Sequence, residues 1–195
     1  MMEPASSAPK GRVRRRAVFV DRDGTINPDL KYLSDAARLE VFRGVADGIR
    51  LLRAHGYLVL CVTNQSGIER GFYSEGEVRR IHQRVNEILH RRGTKVDAFY
   101  YCPHAPETGC ACRKPGIELF QRAEREWGIS FAGSAIIGDR PMDVEAGETL
   151  GLLTAVVPPP GEGAALEAEL RQRHVVPDIR AQSFWGAAMR ILAIG

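Results

Sequence analysis

Two aspartates, Asp21 and Asp23, close the apolar run Ala17-Val18-Phe19-Val20 and are followed by Gly24 and Thr25. Four apolar residues without alternation predict a strand buried on both faces, as in a parallel sheet. The carboxylates then lie at its carboxyl end, where open α/β sheets bind ligands. In extended chain, residues two apart point the same way, so both carboxylates can converge while Gly24 lets the backbone turn behind them. Clustered carboxylates repel unless a cation lies between them, and a hard, oxygen-preferring ion such as Mg2+ suits the pair. A bare DxDG is also an ordinary strand and turn; the full string, from the apolar run to Thr25, is more specific.

If phosphate binds at that strand end, other strand ends should supply groups for it. Thr63 ends a second apolar run, Tyr57 to Val62, and is followed by Asn64 and Ser66, all donors suited to phosphate oxygens. Arg113-Lys114-Pro115 brings two cations, and the proline keeps Lys114 out of helical geometry, so its ammonium can reach a phosphoryl group and neutralise developing charge. Gly138-Asp139-Arg140-Pro141 ends a fourth strand with a third carboxylate, and Asp143 follows at one-turn spacing. Asp139 is the expected further protein ligand of Mg2+, with Asp143 behind it; Asp143 is equally suited to stabilising a helix N-terminus.

A second constellation is Cys102-Pro103-His104 and Cys110-Ala111-Cys112, three of the four cysteines and a histidine within eleven positions. Three thiolates and one imidazole, with no open position, describe a closed tetrahedral structural Zn2+ site. The cluster runs directly into Arg113 and Lys114, so zinc would stiffen the loop that carries them. Cys61, inside an apolar run, is a small core residue.

The elements that must position these groups alternate. Helices are predicted over Gly44 to His55, from a Ser74/Glu77 capping box to Gly93, over Ile117 to Trp127 and over Met142 to Leu150. Between them lie strands at Tyr57 to Val62, Val96 to Tyr101, Ser134 to Ile137 and Leu152 to Val157. Ile26 to Leu39 and the proline-rich Pro158 to Gly163 read as loops. The tail reads as a helix from Ala164 to Arg173, a short strand at Val175-Val176 and a helix from Ser183 to Leu192. This alternation predicts one α/β domain, residues 17–195, with a doubly wound parallel sheet, behind a disordered basic leader at residues 1–16.

The chain has 195 residues, 44% of them hydrophobic, and a net charge of +3. Such a chain can bury a substantial core, and no run is long enough to span a membrane. Arg12, Arg14, Arg15 and Arg16 carry much of the excess charge, but no aromatic residue interleaves with them, which speaks against a single-strand nucleic-acid surface. We expect a cytoplasmic monomer with no nucleic-acid or membrane partner.

The string DRDGT, the hydrophobic-Thr63 pair, Lys114-Pro115 and GDxxxD resemble, in order, the four motifs of the haloacid dehalogenase (HAD) superfamily, from Ala17 to about Gly151. With TNQSGIERG, the CxH and CxC pair before RKP, and the GDR segment, the resemblance narrows to the D-glycero-D-manno-heptose 1,7-bisphosphate 7-phosphatase family. It implies a HAD-like Rossmannoid three-layer α/β/α fold with a mainly parallel sheet, no large cap domain and a zinc-binding loop. It also implies a sugar bisphosphate as substrate, in the route to nucleotide-activated heptose for lipopolysaccharide. Carried over by position, Asp21 resembles the nucleophile and Asp23 the general acid/base. Asp21, the Asp23 carbonyl and Asp139 hold Mg2+, and Thr63 and Lys114 stabilise the transferred phosphoryl group. Arg113 recognises the far end of the substrate; Asn27, Asp29, Leu30, Lys31, Tyr32, Asn64, Gln65, Ser66 and Arg140 match substrate-contacting stretches.

Lys31, Glu69, Arg140 and the Pro158 to Gly163 segment depart from the family's usual residues; Lys31 and Arg140 add positive charge near the mouth, and Glu69 is expected to place an acid beside the substrate loop. Histidinol-phosphate phosphatase shares DRDGT, a similar zinc loop and RKP, but differs after Gln65, where this chain has Ser66-Gly67-Ile68. A broad sugar-phosphate phosphatase on the same scaffold is the remaining alternative within the superfamily. A non-catalytic zinc and nucleic-acid module has no need for three strand-end carboxylates.

Overall fold

The first strand, β1 (Ala17–Val20), lies in the middle of a six-stranded, all-parallel sheet of order β3-β2-β1-β4-β5-β6. The computed structural model describes residues 14–194. The other strands are β2 (Leu58–Asn64), β3 (Ala98–Cys102), β4 (Ala135–Gly138), β5 (Leu153–Val156) and β6 (Ile179–Arg180). Every residue of β1 is buried because both sheet faces are covered: Val18 and Val20 face one cluster, Ala17 and Phe19 the other. Helices α1 (Val45–Ala54), α2 (Glu75–His90) and α6 (Phe184–Ile194) cover the first face; α3 (Glu118–Trp127), α4 (Pro141–Leu150) and α5 (Gly163–Arg173) cover the second. The three layers match the expected α/β/α architecture, and no inserted cap domain interrupts them among the described residues.

Local rules explain most boundaries. The capping box at the start of α2 forms as expected, with Glu77 N–H donating to Ser74 Oγ and Ser74 N–H to the Glu77 carboxylate. β2 and β3 run further than expected, to Asn64 and Cys102, which pair in register, so the first cysteine of the cluster is held by the sheet rather than by a loop.

The expected strand at Val175-Val176 does not form. Val175 N–H instead closes the end of α5 on Leu170 O at 3.0 Å, and its side chain packs with Leu166 and Leu170. Val176 is 69% exposed and precedes Pro177, which has no N–H to give a ladder. The edge strand comes three residues later, where Ile179 pairs with Ala155. Most of the expected leader lies outside the described residues. Its last three residues are docked: Arg15 bridges to Ile129, Arg16 lies over the Tyr57 ring at 4.5 Å, and Arg14 meets Glu124 at 3.2 Å. No helix among the described residues is long and apolar enough to cross a membrane.

Candidate active site

The strand order reverses direction at β1 and β4, so the loops leaving these neighbours diverge and open a crevice at their carboxyl ends. Asp21 leaves β1 and Asp139 leaves β4 into that crevice. Asp21 N–H donates to Ile137 O at 3.0 Å, which ties the residue to the ladder. Carboxylate oxygens of Asp21, Asp139 and Asp143 lie within 4.8 Å of one another. Gly24 and Gly138 make this approach possible: a Cβ at Gly24 would sit 2.1 Å from Asp139 Oδ2, and one at Gly138 would sit 2.2 Å from the Asp143 carboxylate.

One cation is built into the cluster. Lys114 is 2% exposed, and its Nζ lies 2.6 Å from Asp143 Oδ1, 3.0 Å from Asp21 Oδ1 and 2.7 Å from Val62 O. All three donors of the ammonium are thus engaged, and the two carboxylates keep it charged against its burial. Asn64 brackets the lysine, accepting from Lys114 N–H at 3.0 Å and donating to Lys114 O at 3.2 Å.

Lys114 pairs with Asp21 and Asp143, and Asp139 has only the half-buried Arg140 beside it, so the three carboxylates still outnumber their cations. Burial pushes Asp21 up to about 6, with Lys114 opposing and Asp143 and Asp23 adding repulsion. Burial, Asp21 and Asp143 raise Asp139 well above the ordinary carboxylate range. Asp139 Oδ1 accepts from Thr25 Oγ1 at 3.0 Å; its buried Oδ2 accepts no hydrogen bond, although Arg140 Nε stands 3.3 Å away. An unfilled oxygen acceptor within a carboxylate cluster of raised pKa fits a hard divalent cation such as Mg2+.

Asp23 turns the other way. Its carboxylate accepts from Arg22 Nε at 3.0 Å and Nη2 at 2.5 Å, from Asn27 Nδ2 at 2.9 Å and from Gln65 Nε2 at 3.0 Å. Although burial alone would raise its pKa, Arg22 holds Asp23 below the usual range. Arg22 is itself fixed from behind by Gln65 Oε1 at 3.1 Å and by His82 on α2 at 3.4 Å, while Tyr73 Oη donates to Gln65 at 2.8 Å. His82 stacks on Phe99 and is pushed down to about 3 by burial and by Arg22, so it stays neutral and can accept from the guanidinium.

Both aspartates line one pocket of about 460 Å3, with Thr63, Ser66, Lys31 and Tyr32, Arg113 and Arg140 around it. The Tyr32 ring packs on Phe72 at 4.3 Å, and Lys31 and Tyr32 both have positive φ, 44° and 63°. This mouth is the one place where two consecutive non-glycine residues hold that conformation among the described residues.

The second metal-type cluster forms as its sequence predicts. Sulfur atoms of Cys102, Cys110 and Cys112 lie 3.1 to 3.5 Å apart, with His104 Nδ1 3.3 Å from Cys112 Sγ and 3.7 Å from Cys102 Sγ. A tetrahedral zinc with Zn–S bonds of about 2.3 Å needs ligand separations of about 3.8 Å, so this group needs only a small expansion to fit the ion.

Comparison with known proteins follows the same lines. Residues 111–182 match a family model described as HAD-hydrolase-like. A Thermoplasma acidophilum protein named a probable D-glycero-D-manno-heptose-1,7-bisphosphate 7-phosphatase is 42% identical over 73% of this chain and 89% of its own. The D-glycero-beta-D-manno-heptose-1,7-bisphosphate 7-phosphatase of Haemophilus ducreyi is 38% identical over 80% and 89%. The chain belongs to the heptose-bisphosphate 7-phosphatase family of HAD-type hydrolases. Among solved structures, the D,D-heptose 1,7-bisphosphate phosphatase of B. bronchiseptica, complexed with magnesium and phosphate, superimposes with a TM-score of 0.81 at 26% identity, covering 92% of this chain and 99% of that one.

Not every residue expected at the substrate of a heptose-bisphosphate phosphatase faces the pocket. Asn27 and Gln65 are buried and hold Asp23, and Asn64, though it lines the pocket, directs its amide to Lys114. Leu30 is exposed and stands outside the lining, whereas Asp29, Lys31, Tyr32, Ser66, Arg113 and Arg140 belong to it. Asp23 adds no carboxylate to the acidic group, which leaves its main-chain carbonyl as the part that could reach a cation. Glu69 turns away from the substrate side and accepts from Ala105 N–H and from Thr108 Oγ1 at 2.7 Å, inside the cysteine segment. Sequence reasoning missed His82, Tyr73 and Arg22. His82 sits between Val78, Ile81 and Val85 on the buried face of α2, a signal that periodicity alone carries.

Proposed function

We propose that this chain is a Mg2+-dependent phosphatase that removes the 7-phosphate of D-glycero-D-manno-heptose 1,7-bisphosphate through an aspartyl-phosphate, in the supply of nucleotide-activated heptose for lipopolysaccharide. The observation that carries this reading is the grouping of Asp21, Asp139 and Asp143 at the β1/β4 crevice, with Lys114 paired to Asp21 and Asp143.

Asp21 is the nucleophile: one carboxylate oxygen forms a bond to phosphorus as the bond to the sugar oxygen breaks. Lys114, already 3.0 Å from Asp21, neutralises charge on the transferred group together with the Thr63 hydroxyl. Asp21, Asp139 and the Asp23 carbonyl are the residues that would hold Mg2+, which when bound supplies positive charge to the phosphoryl oxygens. Asp23 protonates the departing sugar oxygen. An incoming phosphate dianion works against Arg22 and raises the Asp23 pKa, which favours the protonated form that this step needs. Asp23 then takes a proton from water as that water attacks phosphorus, releasing phosphate and restoring Asp21. Arg113 and Lys31, pocket cations outside any described ion pair, face the substrate's second phosphate. Cys102, His104, Cys110 and Cys112 hold a structural zinc.

The test is phosphate release, with Mg2+, from both anomers of the heptose bisphosphate, fructose 1,6-bisphosphate and histidinol phosphate side by side. A large preference for one heptose anomer is expected. Preference for histidinol phosphate, or equal slow turnover of all four, overturns the substrate.

A further inference from the structure

Two loops border the pocket. One runs from Gln65 to Tyr73 and presents Ser66 and Tyr73 to it; the other is the cysteine segment, which leads to Arg113. They are fastened together at several points. Gln65 N–H donates to Cys102 O at 2.7 Å and Glu69 N–H to Pro103 O at 3.2 Å. Arg70 meets both oxygens of Glu107, at 3.0 and 3.2 Å. Glu69 Oε2 accepts from both Ala105 N–H and Thr108 Oγ1.

The Glu69 contact differs from the others in what it grips. Ala105 precedes the 3-10 helix Pro106–Thr108; the Glu69 carboxylate accepts from the Ala105 N–H before the helix and from the Thr108 hydroxyl at its last residue, joining both ends of the short helix. That helix lies within the reach of chain between ligand His104 and ligand Cys110, the stretch that must close for the four ligands to meet. Arg113 in turn donates from Nη1 to His104 O at 3.2 Å, so the position of the expected substrate-reading arginine follows that of a metal ligand. Charge-assisted bonds from one carboxylate to a backbone N–H and a hydroxyl are stronger than neutral ones.

We propose that Glu69 is a positioning residue of the zinc segment: it holds closed the Ala105 to Thr108 turn between His104 and Cys110 and, through His104 and Arg113, sets the pocket for a doubly phosphorylated substrate. The link to the substrate rests on the function proposed above; the link to zinc does not. Glu69 is exposed, and none of its described contacts is with an acidic-cluster residue, so removing its carboxylate leaves the hydrolytic machinery in place.

The test uses the zinc-loaded full chain and its Glu69→Ala and Glu69→Gln variants, with thermal unfolding to verify the fold. Zinc release is followed with a chromophoric chelator, and KM and kcat are measured for the heptose bisphosphate and for p-nitrophenyl phosphate, which carries no second phosphate for Arg113 to read. Loss of a group bonded directly to a metal ligand weakens metal binding by about 10- to 100-fold, and Glu69, which grips the chain between two ligands, is expected at the low end of that range. Glu69→Ala should therefore release zinc about tenfold faster and raise KM for the bisphosphate, with kcat for the aryl phosphate unchanged. Glu69→Gln keeps an acceptor oxygen and should fall between the alanine variant and wild type. Release from Glu69→Ala at the wild-type rate overturns the proposal; faster release with an unmoved bisphosphate KM overturns the link to Arg113. If the wild type does not hydrolyse the heptose bisphosphate at all, the assigned function fails while the release rates still judge Glu69.

Discussion

Asp21 and Asp23 leave the same strand two residues apart, yet the fold gives them opposite surroundings. Asp21 is packed against two further carboxylates and shares one lysine with Asp143, and its pKa rises to about 6. Asp23 accepts from an arginine, an asparagine and a glutamine, and its pKa falls. The difference shows that residue type does not assign roles here; neighbours do. A carboxylate short of positive charge is suited to hold a metal and meet phosphate. One held from several sides is suited to keep a fixed direction toward a leaving group.

The strongest way to break that contrast is to neutralise each carboxylate in turn. Asp21→Asn should cost at least about 10^4-fold in turnover and yield no acid-quenched phosphoenzyme. Asp23→Asn should cost about 10^2- to 10^4-fold with the heptose bisphosphate, yet still form phosphoenzyme from p-nitrophenyl phosphate, whose leaving group needs no proton. Phosphoenzyme in the Asp21 variant would reassign the nucleophile.

Removing the shared lysine should strike the Asp21 side through stability as well. Lys114→Met leaves two buried carboxylates unpaired, with an expected loss of about 3 to 5 kcal/mol in urea unfolding and partial recovery on adding Mg2+. An unchanged midpoint would mean that Asp21 and Asp143 are not ion-paired in solution.

The Asp23 side has a pH signature of its own. His82 is neutral in the fold down to about pH 3, while in the unfolded chain it takes a proton near pH 6.5. Its folded pKa is depressed, so its contribution is complete above 6.5 and declines as pH falls through the window from 6.5 to 3. Between pH 7 and 4.5, wild type should lose about 2 to 3 kcal/mol relative to His82→Gln. Parallel stability curves would place His82 in solvent. The smallest effect is expected for Gln65→Leu, which frees Arg22, Tyr73 and one Asp23 bond: about 1 to 2 kcal/mol of stability and about a tenfold fall in kcat, with the acid limb of the rate profile moved upward.

The zinc segment shows a limit of local reasoning. CxH and CxC announce four ligands, because soft donors at that density have few other uses, and they do come together. Glu69 stands out only as a departure from the family's usual residue, and the sequence points it to the substrate loop rather than to the cysteine segment. Its partners lie 36 and 39 residues away, and a single exposed acid on a loop carries no periodic or motif signal. The misplaced strand at Val175-Val176 is of the same kind: two β-branched residues favour a strand, but burial against α5 claims the first and Pro177 removes a ladder donor after the second.

By itself the sequence determined the layers, the strand ends and the groups at them, because burial on both faces of a parallel sheet forces continuous apolar runs, and the chain can turn outward only where they stop. It determined the chemistry of both clusters through residue types that have few alternatives at such density. Only the tertiary structure decided which way each side chain turns there: Asn27 and Gln65 toward Asp23, Asn64 toward Lys114, Glu69 toward the zinc segment. Those directions depend on which distant donor or acceptor is left unsatisfied nearby, a property of the assembled fold that no spacing along the chain encodes.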